Sequence, residues 1–276
     1  MTTTIIHSNT LNFEQSKVLE RSLGKLQKHN NHYRAFPEQT PSTEKLRELR
    51  EQTELDINIL PENFQSDRIG LMISDMDSTL IAIECIDEIA DFIQVKPQVS
   101  AITEAAMRGE LNFEESLTQR VALLKGLEYD ALQRVYDERL TLNPGAEQWI
   151  KGLKKQQIKF ALVSGGFTFF TDRLKERLNI DFARANVLAE EDDKLSGSVV
   201  GSIVGAQAKA DFLQELCDTL QIDLAQTVAV GDGANDLLMM KKAGLSVAYH
   251  AKPAVQAEAD CALNYRGLDA ILDFID

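Results

Sequence analysis

The chain has 276 residues, of which 43 are acidic and 29 are basic, with a net charge of −14 and 44% hydrophobic residues. This balance excludes a broad cationic surface of the kind that binds nucleic-acid backbones or anionic lipid, because such binding depends on clustered Lys and Arg. The composition is typical of a folded globular protein and excludes the disordered, collagen-like and disulfide-scaffold classes.

The first 66 residues differ from the rest of the chain. They hold three of the four histidines and a polar stretch over 27–43. Two short amphipathic helical patterns flank this stretch, and each is too short to form a core alone. We therefore predict a small N-terminal domain over 1–66 and a main domain over 67–276.

The sequence shows no targeting, membrane or disulfide signal. The N-terminus lacks the charged and apolar regions of a secretory signal, and no run approaches the ~18 apolar residues that span a bilayer. The three cysteines are widely spaced and have no histidine at ligand spacing. We therefore expect a cytoplasmic protein with no membrane partner and no zinc site.

Strand and helix patterns alternate along the main domain. Short apolar runs predict strands at 69–74, 159–163, 227–230 and 245–249, and helical patterns fall at 145–157, 209–220 and 236–243. Residues 80–142 are helical in pattern throughout and predict an inserted cap, whereas Ser196-Gly197 predicts the turn of a hairpin. The expected fold is α/β, with a Rossmann-like parallel sheet.

Two aspartates, Asp75 and Asp77, follow the first strand of the main domain. Residues two apart in an extended segment project to the same side, so we expect the two carboxylates to leave the strand side by side. Their repulsion is costly unless a cation or a shared proton offsets it. The alternative is a helix N-cap, since Asp, Ser and Thr all cap helices after strands.

Two glycine-containing motifs end the next strands. Ser164-Gly165-Gly166 would let backbone N–H groups approach an anion, although an ordinary strand-to-helix turn explains this motif equally well. The third strand ends in a Gly-Asp-Gly-Ala-Asn-Asp segment, which adds Asp232, Asn235 and Asp236.

The three motifs are expected to face one crevice, because ligands of open parallel sheets bind beyond the carboxyl ends of the strands. Lys209, near the start of the helix before the third strand, would join them. Clustered carboxylates favour a hard cation such as Mg²⁺. A hydroxyl, a lysine and backbone N–H groups favour a phosphoryl group. Together they predict metal-assisted phosphoryl transfer through an aspartate.

At these residues the sequence resembles the haloacid dehalogenase (HAD) superfamily of phosphohydrolases, and within it the phosphoserine phosphatase family. The superfamily pattern is DxDx[TV], then a Ser or Thr, a Lys and GDxxxD. Residues 75–79, Ser164, Lys209 and 231–236 match it in that order. The stretches DMDSTLI, VSGGF and GDGANDLLMMKKAG carry the narrower resemblance, which covers about 67–276. It implies a HAD-type α/β fold with a helical cap inserted at about 80–142.

The resemblance implies a role for each acid of the crevice. Asp75 would be the nucleophile that forms an aspartyl-phosphate, and Asp77 would be the general acid and base. Mg²⁺ would be held by Asp75, Asp232 and the backbone carbonyl of Asp77. Asp236 would lie near these ligands and orient either a water molecule on the metal or Lys209.

Substrate-binding residues are implied in the same way. Lys209, Ser164, the N–H of Gly165 and Asn235 would hold the phosphoryl oxygens.

The cap would recognise the rest of the substrate. Glu84 would meet an ammonium group and Arg120 a carboxylate. Met107 and Phe113 would line the site and exclude water. The alternatives are solvated surface charges for Glu84 and Arg120, and a plain core role for the other two.

The expected activity is Mg²⁺-dependent hydrolysis of O-phospho-L-serine to L-serine and phosphate, the last step of serine biosynthesis. The alternatives are another small phosphomonoester, such as homoserine or threonine phosphate, or a non-catalytic sensor module. In related longer enzymes the position of 1–66 can hold a βαββαβ module of the ACT type, which the polar middle of this segment fits poorly. We expect a reduced ACT-like module that docks on the main domain, or a dimerisation element that would make the protein a homodimer.

Overall fold

The computed structural model describes residues 2–108 and 110–275, with only the backbone of Met107. The N-terminal part contains an antiparallel sheet with the order β2-β3-β1-β4. Its elements are β1 (Thr4–Ile6), α1 (Phe13–Leu23), β2 (Gln27–Lys28), β3 (Tyr33–Ala35), α2 (Thr43–Thr53) and β4 (Ile57–Ile59). The polar middle therefore supplies two strands, and the element order is a complete βαββαβ. The sequence pattern missed β2 because both of its residues are exposed and polar.

Polar contacts join this sheet to the C-terminal part of the chain. Asn58 in β4 donates to the carbonyl of Ala262 and accepts from its N–H, both at 2.9 Å. The buried carboxylate of Asp56 accepts the three successive backbone N–H groups of 264–266 at 2.7, 3.0 and 2.9 Å. The buried polar side chains of Asp56 and Asn58 are therefore satisfied by backbone groups of the C-terminal segment.

A buried carboxylate lies between two of the N-terminal histidines at the same junction. Asp273 Oδ2 lies 2.9 Å from His7 Nδ1, and Oδ1 lies 3.5 Å from His32 Nδ1. Burial alone would raise the pKa of Asp273, but hydrogen bonds with His32 and His7 hold it below its usual value. These two histidines therefore help to join the N-terminal sheet to the end of the chain.

The rest of the described chain forms a seven-stranded sheet with helices on both faces, as the alternating pattern predicts. Its order is β11-β10-β9-β5-β6-β7-β8, and every neighbouring pair is parallel except β7 with β8. The elements are β5 (Leu71–Ser74), α3 (Cys85–Phe92), α4 (Lys96–Met107), α5 (Phe113–Ala122), α6 (Asp130–Glu138), α7 (Ala146–Lys155), β6 (Lys159–Phe167), α8 (Thr168–Leu178), β7 (Phe182–Glu191), β8 (Lys194–Val200), α9 (Ala206–Leu220), β9 (Thr227–Gly231), α10 (Leu237–Lys242), β10 (Leu245–Tyr249), α11 (Pro253–Gln256) and β11 (Cys261–Leu263).

The central strand β5 is buried on both faces. Met72 packs into one hydrophobic layer, whereas Leu71 and Ile73 pack into the other. Because both faces of the strand are covered, residues 71–73 are all apolar, and the strand reads as a continuous apolar run up to Ser74. No helix in the described part of the chain is long and apolar enough to cross a bilayer.

The segment between β5 and β6 carries the cap, which consists of the four helices α3–α6. The start of α5 is fixed by a capping box in which Asn112 accepts from the N–H of Glu115, and its own N–H donates to the Glu115 carboxylate. Leu117 and Val121 on α5 are buried in the larger core cluster. The cap thus shares its hydrophobic core with the sheet.

Two local predictions are wrong. The hairpin turns at Asp192 and Asp193, which have φ values of 52° and 60°, and Gly197 lies inside β8. A Cβ on Gly197 would lie 2.8 Å from Cβ of Lys125, so this glycine makes room for the end of the cap. In addition, β6 continues beyond 163 to Phe167 with an irregular register, so Ser164-Gly165-Gly166 lies within the strand.

Candidate active site

The three polar motifs meet at one edge of the sheet, as expected from parallel strands. Asp75 directly follows β5, Asp232 directly follows β9, and Ser164 lies on β6. Because β5 pairs with both β6 and β9, these residues lie on adjacent strands. Asp75 and Asp232 border a cavity of about 710 Å³ between the sheet and the cap, and the cavity lining also includes Asp77, Glu84, Phe113, Arg120, Gly165 and Asn235.

A fully buried lysine lies behind this cavity. Lys209 Nζ lies 2.8 Å from Asp75 Oδ1 and 2.7 Å from Asp236 Oδ1, and all three side chains are buried. Burial alone would lower the pKa of Lys209, but the carboxylates of Asp236 and Asp75 raise it above its usual value. Lys209 is therefore a permanent ammonium at the bottom of the site.

The position of Asp236 depends on neighbouring glycines. Its second oxygen accepts the N–H of Gly233 at 3.0 Å. A Cβ on Gly231 would lie 2.5 Å from the Asp236 carboxyl group, which no side chain at that position would tolerate. The glycines of the GDGAND segment therefore allow the carboxylate to pack against its own loop.

Three carboxylates come together at the end of the sheet. Single oxygens of Asp75, Asp232 and Asp236 lie within 4.8 Å of one another. Burial and the charge of Asp236 raise the pKa of Asp75, and Lys209 opposes that rise. Burial likewise raises the pKa of Asp232 to about 6, although Thr79 donates a hydrogen bond to its Oδ1 at 2.7 Å. One ammonium offsets three carboxylates only in part, so the donor set fits a divalent cation.

Asp77 points away from this cluster. Its Oδ1 accepts the backbone N–H of Cys85 at the start of α3 at 2.7 Å, and its Oδ2 accepts the Ser164 hydroxyl at 3.0 Å. A Cβ on Gly166 would lie 2.7 Å from Asp77 Oδ2. Burial raises the pKa of Asp77. A carboxyl group with a raised pKa that lines a cavity is suited to carry a proton.

Sequence reasoning missed Asn186, which joins two segments of the site. Asn186 lies on β7 and is 2% exposed. Its amide donates to the carbonyl of Gly165 and accepts from the N–H of Val204, both at 2.8 Å. It thereby ties the glycine segment of β6 to the loop that leads into α9 and Lys209. A polar residue inside a strand was the only signal in the sequence.

The cap lies directly over the glycine segment. A Cβ on Gly165 would lie 2.6 Å from Cζ of Phe113, the first residue of α5. Phe113 can therefore close over the cavity only because Gly165 has no side chain. Met107 ends α4, and its side chain lies outside the described part of the structure.

The charged cap residues Glu84 and Arg120 also face the cavity. Glu84 accepts the Ser78 hydroxyl at 2.6 Å, and desolvation and the charge of Asp77 raise its pKa to about 7. Arg120 Nε donates to the carbonyl of Ser116 at 3.4 Å, and burial lowers the pKa of Arg120. Both residues belong to the cap side of the cavity lining, since Glu84 directly precedes α3 and Arg120 lies on α5.

The raised pKa of Asp232 predicts how stability changes with pH. Folding raises the pKa of this carboxyl group from 3.8 to about 6. Between these pH values the folded state binds more protons than the unfolded state, so stability falls as pH rises. In EDTA, the stability of the wild type should therefore fall relative to that of Asp232→Asn as the pH rises from 4 to 6. Urea unfolding at several pH values measures this difference. Asp172→Asn, on the exposed surface of α8, should differ from the wild type in free energy of unfolding by the same amount at every pH. If Asp232→Asn also differs from the wild type by a constant amount, the prediction is contradicted.

Comparison with known proteins agrees with this geometry. Residues 69–244 match the haloacid dehalogenase-like hydrolase family. A phosphoserine phosphatase from Polaromonas sp. is 50% identical over 226 residues, which cover 80% of this chain and 96% of the relative. The crystal structure of a probable phosphoserine phosphatase from Vibrio cholerae superposes with a TM-score of 0.86 and 38% identity, covering 99% of this chain and 86% of that one.

A third similar structure is that of a substrate complex. A structure described as a substrate-bound phosphoserine phosphatase complex superposes with a TM-score of 0.71 and 44% identity, and the match covers 75% of this chain and 99% of that one. From the family match and the relatives together, the chain belongs to the haloacid dehalogenase-like hydrolases and, among them, to the phosphoserine phosphatase family.

Proposed function

We propose that this chain hydrolyses O-phospho-L-serine to L-serine and phosphate, the last step of serine biosynthesis, with Asp75 as the nucleophile. The observation that carries the proposal is a single cavity with two chemically different ends. Asp75 and Asp77 line it where β5 ends, with Lys209 buried behind Asp75, and Glu84 and Arg120 line it from the cap. The first end suits phosphoryl transfer, and the second suits the two charged groups of an amino acid.

The reaction needs two displacements at phosphorus. An oxygen of Asp75 attacks the phosphorus atom, the bond from phosphorus to the serine oxygen breaks, and Asp77 gives that oxygen its proton. Asp77 then takes a proton from a water molecule that attacks the aspartyl-phosphate, which releases phosphate and the Asp75 carboxylate. The hydrogen bonds from Cys85 and Ser164 hold Asp77 for both proton transfers.

Charge repulsion is the main obstacle to the first step, since a carboxylate must approach a phosphate dianion. Mg²⁺, held by Asp75, Asp232 and the backbone carbonyl of Asp77, would supply positive charge at the phosphoryl group. Lys209 adds a fixed ammonium, and Asp236 keeps that ammonium in place.

The remaining phosphoryl contacts would come from three residues that follow or lie within the strands. Ser164, the N–H of Gly165 and Asn235 would donate to the phosphoryl oxygens as these gain charge. Phe113 would exclude water from above. We also retain the proposal that Met107 lines the site, although its side chain lies outside the described part of the structure.

A panel of phosphomonoesters tests the function directly. We expect the highest kcat/KM for O-phospho-L-serine, lower values for phosphothreonine and homoserine phosphate, and the lowest for an aryl phosphate, because the last lacks both charged groups that the cap would bind. EDTA should abolish phosphate release and Mg²⁺ should restore it. A preference for homoserine or threonine phosphate would contradict the substrate assignment, and a lack of turnover throughout would favour a sensor role.

We also propose that residues 1–66 form a module that docks on the main domain and mediates a homodimer in the cytoplasm. The contacts of Asp56 and Asn58 with the 262–266 segment support docking. A chain that starts at residue 67 should melt at a lower temperature and lose the dimer, but keep its kcat/KM because none of the described residues 2–66 lines the cavity. Light scattering and thermal melts measure both. A truncated chain as stable as a monomeric parent would refute the proposal.

A further inference from the structure

A second cap carboxylate, Asp87, faces the same cavity as Glu84. Glu84 precedes the first turn of α3, and Asp87 lies in that turn, three residues further along. Residues three apart on a helix lie on one face, so the two side chains are neighbours. Both line the cavity, as does Arg120 on α5.

In the part of the chain that the structure describes, the Asp87 carboxylate has no hydrogen-bond or ion-pair partner, in contrast to its neighbours on α3. Its Oδ1 is buried and accepts no hydrogen bond, and within the described residues its carboxylate forms no ion pair. Glu88 and Asp91 on the same helix both pair with Arg139, at 3.5 and 3.6 Å. A carboxylate oxygen that is shielded from water and unpaired costs free energy that a bound donor would recover.

Nearby groups offer no complete compensation for this carboxylate. Burial lowers the pKa of Arg120 and the charge of Asp87 opposes this, but within the described residues the two side chains form no ion pair. Glu84 adds a second carboxyl group, which already accepts the Ser78 hydroxyl. Two carboxylates and one guanidinium in the same cavity carry a net negative charge, so they can accept one more cationic group.

We infer that Asp87 is a specificity-determining residue that, beside Glu84, accepts a hydrogen bond from the ammonium group of the substrate. This inference rests on the proposed phosphoserine activity and deepens it. An ammonium group has three donors, which two carboxylates on one helix face satisfy better than one. Arg120 is left to bind the carboxylate of the substrate with its planar fork.

Three substrates separate these roles. O-phospho-L-serine carries both charged groups, O-phosphoethanolamine carries only the ammonium, and phosphoglycolate carries only the carboxylate. Asp87→Asn should lower kcat/KM on the order of 10-fold or more for the first two, because a charge-assisted hydrogen bond is lost. It should leave phosphoglycolate hydrolysis within about twofold of the wild type.

Two further variants provide matched comparisons. Arg120→Ala should give the opposite selectivity, with large losses for phosphoserine and phosphoglycolate and a small loss for phosphoethanolamine. Asp91→Asn makes the same charge change on α3 outside the cavity lining and should leave all three substrates unaffected. Thermal melts of each variant show whether the fold is retained.

The outcomes distinguish this inference from the proposed function. If the wild type prefers phosphoserine but Asp87→Asn acts on all three substrates equally, Asp87 supports the fold or Arg120 and the inference is overturned. Unchanged kinetics in Asp87→Asn would overturn it as well. If the wild type itself shows no preference for phosphoserine, the proposed function fails before the role of Asp87 is reached.

Discussion

Asp75→Asn should lower kcat for O-phospho-L-serine on the order of 10⁴-fold or more, since an amide oxygen cannot form the aspartyl-phosphate. The fold should remain intact, because Lys209 keeps its hydrogen bond to Asp236 at 2.7 Å. Burial and the charge of Asp236 raise the pKa of Asp75, so a neutral side chain is tolerated at this position. Phosphate release and acid quenching followed by mass spectrometry measure both turnover and the covalent phosphoprotein.

The comparison variant is Asp172→Asn, which makes the same chemical change at an exposed position on α8. It should keep full turnover and the phosphoprotein signal of the wild type. Substantial turnover by Asp75→Asn would contradict the covalent mechanism, whatever the effect on substrate affinity. Equal melting temperatures of the two variants would show that the loss is chemical.

Lys209→Met should both abolish turnover and destabilise the protein. The substitution leaves Asp75 and Asp236 without their shared ammonium, and removing one member of a buried charge network costs about 3–5 kcal/mol. Urea unfolding in EDTA measures this cost in the absence of a competing cation. Adding Asp236→Asn to Lys209→Met should recover part of the stability, because one of the unpaired carboxylates is gone, but should not recover turnover.

An exposed lysine provides the comparison. Lys241 pairs with Glu258 at 2.8 Å, and its side chain is 55% exposed. Lys241→Met should change the free energy of unfolding by no more than about 1 kcal/mol, since surface ion pairs contribute little. A similarly small change for Lys209→Met would contradict the view that the buried ammonium holds the acidic site together.

The motifs at the strand ends could be predicted because their information is local. Asp75 and Asp232 each follow an apolar run, and parallel strands bring such positions to one edge. The βα alternation and the cap insertion were equally readable, because buried strands and amphipathic helices differ in period. The hairpin turn was misplaced because Gly197 is needed for the approach of Lys125, a long-range contact that a local turn signal does not contain.

The long-range surroundings of individual side chains were the part of the site that the sequence did not reveal. Asn186 and Asp87 carry no motif, and their significance depends on what lies opposite them in the folded chain. The N-terminal part is similar: β2 has no apolar signal, and Asp56 meets its N–H partners more than two hundred residues away.

The sequence by itself determined the α/β class, the inserted cap and the set of acids and Lys209 that belong to one crevice, because strand period and motif order are local properties. The tertiary structure alone decided which oxygens face one another. It paired Asp77 with Cys85 and Ser164, placed Lys209 between Asp75 and Asp236, and left Asp87 without a partner in the described chain. These outcomes depend on distances across the sheet and the cap, which only the packing of distant segments sets.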